Sequence, residues 1–274
     1  MIQAVNYRTL LKGFLLGLAV VIILFCASFF DNRTKIVFCD VGQGDGAYIR
    51  IKNRFDLVID AGPDRNILNC LGRYIPFYDR TIDLAILSHN QKDHFGGYEY
   101  IIDRYSIKRL FITSIQNPNK SFVKLKEKLI KKNVRIDILS KGREIEVLGD
   151  SLIFFWPDNP CVSSNDNDCS LVFSFKEKLF NAVFTGDSSP LVLNRLSDKS
   201  IKNVSVLKIP HHGSKNGLTK KFLRLANPEV TVISVGKKNS YGHPNKEVLD
   251  MLESSGTIIK RTDLNGDIMF KLPN

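Results

Sequence analysis

The chain has 274 residues, of which 43% are hydrophobic and 24% are charged. This balance excludes an intrinsically disordered chain and a fibrous protein, and it predicts a folded protein with a sizeable core. Lysine and arginine outnumber aspartate and glutamate by 39 to 28, which gives a formal net charge of +11. Such a charge favours polyanionic partners such as nucleic acid or anionic lipid; a solvated basic surface is the alternative interpretation.

The N-terminal segment is apolar: residues 13–30 read GFLLGLAVVIILFCASFF and contain no charged residue. This run approaches the roughly 20 apolar residues that a helix needs to cross a membrane. We therefore predict a transmembrane anchor over residues 1–31 and a folded domain over residues 32–274, held outside the cytoplasmic membrane. A cleaved signal peptide, which would give a secreted protein, is the alternative.

The rest of the chain alternates predicted strands and helices. Strand patterns cover residues 35–41, 47–51, 56–60, 83–89, 108–114, 134–140, 151–157, 170–175, 181–187, 203–210 and 229–236. Helical patterns cover residues 95–105, 119–133, 190–197, 218–226 and 245–254. Because no repeat or long linker separates these elements, they indicate one α/β domain layered around sheets.

The surroundings of four of the five cysteines predict their roles. Cys39 lies in an apolar strand pattern and Cys26 in the N-terminal run, and both are predicted to be inert packing residues. Cys161 and Cys169 bracket a polar loop, where an oxidising compartment would let them form a disulfide. Two free thiols are the alternative at that loop.

All five histidines follow predicted strands, where a rigid scaffold presents functional groups to a loop. The segment SHNQKDHFGG contains His89, Asp93 and His94, which could converge on one point. Imidazole and carboxylate groups are suitable ligands for Zn²⁺ or Mn²⁺. This segment therefore predicts a metal site.

Three later motifs add candidate residues. In FTGDSS, Asp187 ends an apolar strand, where a carboxylate can bridge two metal ions or cap the next helix. In LKIPHHGS, His211 and His212 are adjacent and point in different directions, so one can ligate while the other faces a substrate. In YGHPNKE, His243 stands in a turn, and an ordinary loop histidine is the alternative there.

In this order, the motifs resemble those of the metallo-β-lactamase-fold domain of ComEC-type competence proteins. The resemblance covers about residues 35–271 and depends on DVGQGD, LVIDAG, SHNQKDHFGG, TGD, PHHGS, SVGKKNSYGHP and RTDLNGD. It implies a stand-alone, membrane-anchored relative with a four-layer αββα sandwich. It also implies a dinuclear site for Zn²⁺ or Mn²⁺, holding one or two ions, at one edge of two sheets.

The resemblance also implies individual roles. His89 would belong to the first metal position, Asp93, His94 and His212 to the second, and Asp187 would bridge them. The chain departs from the family pattern at two positions. Gln91 stands where the fold has histidine and the ComEC branch has aspartate, and Asn167 lies where other members have a further histidine ligand. Neutral amides are poor ligands, which puts the first metal in doubt.

The function implied is that of a metal-dependent hydrolase, a phosphodiesterase or nuclease acting on DNA during uptake or processing, beside an uptake channel. Asp93 and Asp187 would orient a metal-activated hydroxide, and His211 or His243 would protonate the leaving oxygen. Ser214, Lys215, Lys237 and Lys238 would hold the phosphate backbone, although solvated lysines are the alternative. Two other functions stay open: an envelope phosphodiesterase acting on phosphocholine esters, and a catalytically impaired DNA-binding module.

Overall fold

The computed structural model describes residues 7–29, 31–114, 118–197 and 201–273. Within these ranges the helices are α1 (Tyr7–Phe29), α2 (Ile67–Tyr74), α3 (Lys92–Phe95), α4 (Tyr98–Arg104), α5 (Lys120–Lys131), α6 (Pro190–Leu193), α7 (Lys220–Ala226), α8 (Lys246–Ser255) and α9 (Thr262–Asn265). The strands are β1 (Lys35–Phe38), β2 (Gly46–Ile51), β3 (Phe55–Ala61), β4 (Thr81–Ile82), β5 (Leu84–Leu87), β6 (Ser106–Ile107), β7 (Arg109–Ile112), β8 (Arg135–Ile138), β9 (Glu144–Val147), β10 (Asp150–Trp156), β11 (Val172–Glu177), β12 (Phe180–Phe184), β13 (Val206–Lys208), β14 (Val230–Ile233), β15 (Ile258–Arg261) and β16 (Ile268–Lys271).

Two large sheets form the centre of the domain. The first has the strand order β16-β1-β2-β3-β5-β7-β8, and the second has the order β15-β14-β13-β12-β11-β10-β9. Strands β3, β5, β7 and β8 run parallel to one another, as do β12, β13, β14 and β15. The carboxyl ends of these strands therefore lie at one edge of each sheet, where open α/β sheets bind ligands.

Three apolar clusters separate four layers. Strand residues alternate between them: Val37 faces α2, α4 and α5, whereas Ile36 faces the second sheet. In the second sheet, Phe173 points at the first sheet, and Val172 points at α6, α7 and α8. Because side chains on a strand alternate between faces, sheets covered on both sides need the long apolar runs seen in the sequence. The predicted αββα sandwich is confirmed.

The N-terminal segment forms α1, whose apolar side chains over residues 10–23 are largely exposed. Nowhere in the described ranges does a helix combine the length and the apolarity that a membrane crossing requires. The transmembrane anchor predicted for residues 1–31 is thus not supported. Residues 1–6 and 30 of that prediction lie outside the described residues.

The predicted elements match the observed ones closely, with misses at the sheet edges. The helix predicted over residues 95–105 is split at Gly96 and Gly97 into α3 and α4. Helix α2, strand β9 and the edge strands β15 and β16 were not predicted. The edge strand Ile258–Arg261 has two apolar residues followed by two charged ones and is only partly buried, so its apolar pattern is weak.

Two disulfides are present. Cys161 and Cys169 are bonded, which decides between the two alternatives left by the sequence. Cys39, predicted to be an inert packing residue, is instead bonded to Cys70 of α2. That prediction was wrong because the partner is 31 residues away, on a helix that the sequence pattern did not reveal.

Candidate metal centre

The candidate site lies where strands of both sheets end. Loops after β5, β12 and β13 carry His89, Asp187 and His212, and α3 follows the first of these loops with Asp93 and His94. Parallel pairing of β3 with β5 and of β12 with β13 places these loops at the same edge. The site is thus assembled from both sheets rather than from one continuous segment.

Four of the predicted ligands converge. The ligand atoms of Asp93, His94, Asp187 and His212 all lie within 4.8 Å of one another. Nε2 of His94 is 3.3 Å from Oδ2 of Asp187, and Nε2 of His212 is 3.4 Å from the same oxygen. His212 Nε2 also lies 3.3 Å from Oδ2 of Asp93. Two imidazole nitrogens and two carboxylates form a donor set that suits a divalent ion.

The polar atoms at this point are buried and unpaired. Nε2 of His89, His94 and His212 and both carboxylate oxygens of Asp187 have no hydrogen-bond partner among the residues that the structure describes. Asp187 and His212 are at most 2% exposed. Because an unpaired buried polar atom costs about 1–3 kcal/mol, such a group of atoms requires a partner. One divalent cation would satisfy the atoms of His94, Asp187 and His212 at once, so these residues fit the metal that the sequence motifs imply.

A second set of residues orients the histidines. Nδ1 of His94 donates to Oδ2 of Asp60 at 2.9 Å, and Nδ1 of His212 donates to the Ser234 carbonyl at 3.0 Å. Asp60 is held in turn by the backbone N–H and hydroxyl of Ser88, each at 2.7 Å. Because each Nδ1 donates outward, Nε2 is the nitrogen that faces the centre, as in metal-binding histidines.

The electrostatics of the cluster favour a cation. Burial alone would lower the pKa of His94, but the carboxylates of Asp187, Asp60 and Asp45 raise it well above the usual histidine value. Burial alone would raise the pKa of Asp187, but the imidazoles of His212 and His94 bring it well below its usual value. The carboxylates thus create a negative potential that holds positive charge at this point.

The PHHGS loop adopts a strained backbone. His211 and His212 both have left-handed backbone angles, with φ of 51° and 53°. Such a conformation costs a non-glycine residue about 1–3 kcal/mol. The turn sends the two side chains in different directions, as predicted. His212 enters the four-donor cluster, whereas His211 is one-quarter exposed with Nε2 4.0 Å from Oδ2 of Asp187.

His243 stands beside His211 rather than in the cluster. Their ring centroids are 5.9 Å apart, and Tyr241 stacks on the other side of His243 at 5.9 Å. The side chain of Asn239 fixes this loop, because it accepts from the His243 N–H at 3.0 Å and donates to its carbonyl at 2.8 Å. Burial lowers the pKa of both His211 and His243, so both imidazoles are neutral at pH 7.

His89 is separated from the four-donor cluster. Its ring packs on His94 with centroids 4.1 Å apart, and its Nδ1 lies 3.0 Å from the Ser88 hydroxyl. Burial lowers the pKa of His89 to about 3, so the ring is neutral. The two predicted weak ligands beside it contact each other: Nε2 of Gln91 donates to Oδ1 of Asn167 at 2.7 Å.

The predicted substrate-binding residues fall into two groups. Ser214 is buried and accepts a hydrogen bond from the Asn216 N–H at 3.2 Å, whereas the Lys215 side chain is exposed. Lys237 and Lys238 are exposed and line a cavity of about 590 Å³. Its other lining residues are Asp40, Gly42, Gln43, Asn66, Asn69, Arg73, Gly236, Asn239, Gly266 and Asp267.

Sequence reasoning missed three charged residues of the site. Asp45 and Asp60 stand in motifs that were quoted without a role for either residue, and both are at most 5% exposed. Lys208 is 3% exposed; its ammonium group contacts Asp45, donates to the Gly186 carbonyl at 3.1 Å, and lies 3.9 Å from Oδ1 of Asp187. The available signal was a lysine inside the apolar strand pattern NVSVLKIP, because lysine is rarely buried unless paired.

Comparison with known families supports the sequence motifs. The profile of the metallo-beta-lactamase superfamily matches residues 39–237. The ComE operon protein 3 of Bacillus subtilis is 26% identical over 302 aligned positions, which cover 100% of this chain and 38% of that protein. The competence protein ComA of Neisseria gonorrhoeae is 26% identical, with 88% of this chain and 33% of that protein covered. The chain thus spans about a third of the length of these relatives.

Solved structures share the fold at low sequence identity. The metallo-beta-lactamase fold protein YhfI from Bacillus subtilis superposes with a TM-score of 0.61 and 13% identity, covering 88% of this chain and 100% of its own. A diphosphatase from the PhnP family gives a TM-score of 0.55 and 13% identity, with coverage of 88% and 99%. These likenesses concern the arrangement of the two sheets and their helices.

Proposed function

We propose that this chain, which belongs to the metallo-beta-lactamase superfamily, is a metal-dependent phosphodiesterase that cleaves DNA. The resemblance to the metallo-β-lactamase-fold domain of ComEC-type competence proteins is confirmed by relatives whose names are those of competence proteins. Fold and family support a metal-dependent hydrolase, and the choice of DNA as substrate is our proposal. Zn²⁺ and Mn²⁺ are the ions we propose for the site.

The observation that carries the proposal is the set of buried, unpaired ligand atoms. The two carboxylate oxygens of Asp187 and the Nε2 atoms of His94 and His212 face one point without a partner in the described part of the chain. A binding module would have no use for this arrangement, because it costs stability until a cation is bound. A divalent ion held there would acidify a coordinated water and neutralise charge on the oxygens of a phosphodiester.

Each residue around the site would have a separate task in the proposed reaction. Asp93 and Asp187 would hold the ion and accept hydrogen bonds from a water molecule beside it, and Asp60 keeps His94 oriented. His211, at the exposed rim, takes a proton from the water side and delivers it to the leaving oxygen. Because its pKa is lowered by burial, it begins the reaction neutral and able to accept that proton. His243 is the alternative group for this transfer.

The cavity beside Lys237 and Lys238 supports a phosphate-bearing substrate. Arg73 also lines it, and its guanidinium pairs with Asp267 at 2.6 Å. Lys237 and Lys238 are exposed at the cavity, where their ammonium groups can contact phosphate. The cavity and the candidate metal centre share the loop that ends in Asp45, whose N–H donates to the Asp93 carbonyl at 3.1 Å. We propose that a DNA strand occupies this cavity while a phosphodiester reaches the centre.

The location is also a proposal. Disulfides Cys39–Cys70 and Cys161–Cys169 support an oxidising compartment outside the cytoplasmic membrane, because such bonds are rare in a reducing cytosol. We propose that the protein works there beside a DNA-uptake channel. Support for the channel comes from relatives named for competence.

The test compares the wild-type chain with Asp187→Asn. Removal of this carboxylate should abolish ion binding and lower DNA cleavage about 10³-fold or more, because the bound ion supplies several kcal/mol of transition-state stabilisation. Metal content by mass spectrometry and cleavage of labelled DNA measure both effects. Asp166→Asn, at an exposed position of a nearby turn, is the control and should leave both unchanged. Unchanged cleavage in Asp187→Asn would remove the site assignment.

A substrate panel separates the competing functions. Single-stranded DNA, double-stranded DNA and a phosphocholine diester are compared under the same metal conditions. Cleavage of DNA alone supports the proposal, and cleavage of the phosphocholine ester alone indicates an envelope phosphodiesterase. DNA binding without any cleavage in the metal-loaded protein indicates a catalytically impaired module.

A further inference from the structure

The contact between Gln91 and Asn167 is part of the fold rather than a chance meeting of surface amides. Gln91 is the residue before α3, and Asn167 lies in a short 3-10 turn, residues Asp166–Cys169. The turn is fixed by the disulfide at Cys169 and by Trp156, whose Nε1 donates to the Asp168 carbonyl at 2.5 Å. The 2.7 Å amide contact therefore joins two rigid segments that are 76 residues apart.

This contact uses groups that a second ion beside His89 would need. Nε2 of Gln91 donates to Oδ1 of Asn167, so the two amides are engaged with each other. Oε1 of Gln91 remains, but a neutral amide oxygen is a weaker ligand than the carboxylates and imidazoles of the four-donor cluster. One neutral imidazole would remain as the strong donor on that side. By contrast, both carboxylate ligands and two imidazoles belong to the four-donor cluster. The ligand chemistry thus favours occupancy on one side only.

The two carboxylate oxygens of Asp187 also have different surroundings. Its Oδ2 is the oxygen close to the imidazoles, at 3.3 Å from His94 and 3.4 Å from His212. Its Oδ1 is 3.9 Å from the buried ammonium of Lys208, which is held by Asp45 and by the Gly186 carbonyl. A second divalent ion sharing Oδ1 would have to approach this fixed positive charge, which cannot move away because its partners are buried.

We propose that the centre holds a single divalent ion, bound by Asp93, His94, Asp187 and His212, and that the Gln91–Asn167 contact replaces the ligands of a second ion. The inference rests on the proposed function, since it assumes that the four-donor cluster binds a metal. It assigns Gln91 and Asn167 a positioning role: they tie the loop of His89 to the disulfide-bonded turn.

The experiment measures ions per chain. The full chain is stripped with a chelator, reloaded with Mn²⁺ or Zn²⁺, freed of excess ion and analysed by elemental mass spectrometry and calorimetric titration. We expect one ion per chain in the wild type and in Gln91→Ala, because Gln91 is not a ligand and its positioning role affects the affinity rather than the number of ions. Two ions per chain in either protein would overturn the proposal.

A gain-of-site variant provides the positive test. Gln91→His combined with Asn167→His puts two imidazoles in place of the amide contact and should raise the content to two ions per chain. Electron paramagnetic resonance of the Mn²⁺ form should then change from an isolated-ion spectrum to a spin-coupled one. Asp166→His, an exposed position of the same turn, is the matched control and should stay at one ion.

The outcomes distinguish this inference from the proposed function. No tightly bound ion in the wild type would contradict the proposed function itself. One ion in the wild type and one in the folded double variant would show that the amides do not decide the stoichiometry, and would overturn their assigned role. Circular dichroism establishes that the double variant is folded, and Gln91→His alone serves if it is not.

Discussion

Individual residues of the candidate metal centre are stabilised by buried ion pairs that the sequence patterns did not predict. Asp187 and Asp45 are both buried, and Lys208 contacts Asp45 and lies 3.9 Å from Asp187. Lysine is rarely buried without such partners. We infer that Lys208 offsets part of the carboxylate charge and keeps Asp45 ionised. Oδ1 of Asp45 lies 3.2 Å from Nδ1 of His212, so its negative charge adds to the potential that favours a cation at the centre.

Removal of Lys208 should be costly for the fold. Lys208→Met leaves Asp45 buried without its cation, and breaking a buried ion pair in this way costs about 3–5 kcal/mol. Urea unfolding of the metal-free protein measures the free energy of unfolding. Adding Asp45→Asn to Lys208→Met removes the unpaired charge and should recover part of the loss. Equal stability of Lys208→Met and the wild type would show that the ammonium is not needed.

At the scale of elements, the loops of the site are packed against one another through backbone contacts. Gly44 has a φ of 145°, and a Cβ atom added there would lie 2.2 Å from the carbonyl oxygen of Asp93. The Asp45 N–H donates to the same carbonyl. The loop before β2 therefore sets the position of α3 and, with it, the side chains of Asp93 and His94.

Because of this close contact, we expect that adding one methyl group at Gly44 lowers the affinity for the metal ion. Gly44→Ala should push the Asp93 backbone away and weaken ion binding by about 10–100-fold, the range seen when groups supporting metal ligands are altered. Gly72→Ala is the matched control, because a Cβ on this α2 residue meets nothing within 4 Å. It should keep the affinity and add about 0.4–1 kcal/mol of stability. Calorimetric titration that finds the same affinity in both variants would contradict the prediction.

At the scale of the whole molecule, the structure shows where part of the net charge of +11 lies relative to the candidate metal centre. Lys237 and Lys238 line a cavity that shares a loop with the candidate metal centre, whereas the lysines of α5 are exposed on the outer helical layer. Such charges attract a polyanion and hold it without reading its sequence. The lysines at the cavity would therefore attract and hold the DNA strand that the proposed function requires.

Binding of DNA should weaken steeply with salt, and the two cavity lysines should account for part of the slope. Combined Lys237→Ala and Lys238→Ala should lower the slope of log affinity against log salt by about two, because each phosphate contact releases about one counterion. Fluorescence anisotropy at several salt concentrations measures the slope. Lys126→Ala with Lys131→Ala, on α5, is the control. An equal change in both pairs would indicate diffuse attraction rather than a defined cavity.

Much of the fold could be predicted because its signals are local. Strand Leu84–Leu87 is a continuous apolar run, Phe180–Phe184 is apolar apart from Asn181, and α5 repeats its apolar residues at helical spacing. His89, Asp187, His211 and His212 follow closely after strands, so their place at a sheet edge follows from strand position. The edge strands β15 and β16 have mixed patterns, and the apolar N-terminal run predicted an anchor that the described helix does not support.

By itself, the sequence determined the α/β layers, the order of the motifs and the residue types that meet at the centre. Only the tertiary structure decided which of them meet. The pairing of Cys39 with Cys70, the contact of Gln91 with Asn167 and the burial of Lys208 join residues that local patterns treat separately. Such contacts depend on how the two sheets pack together at the edge that carries the site. A periodicity of two or 3.6 residues describes only neighbours along the chain, so it does not predict which distant residues will be in contact.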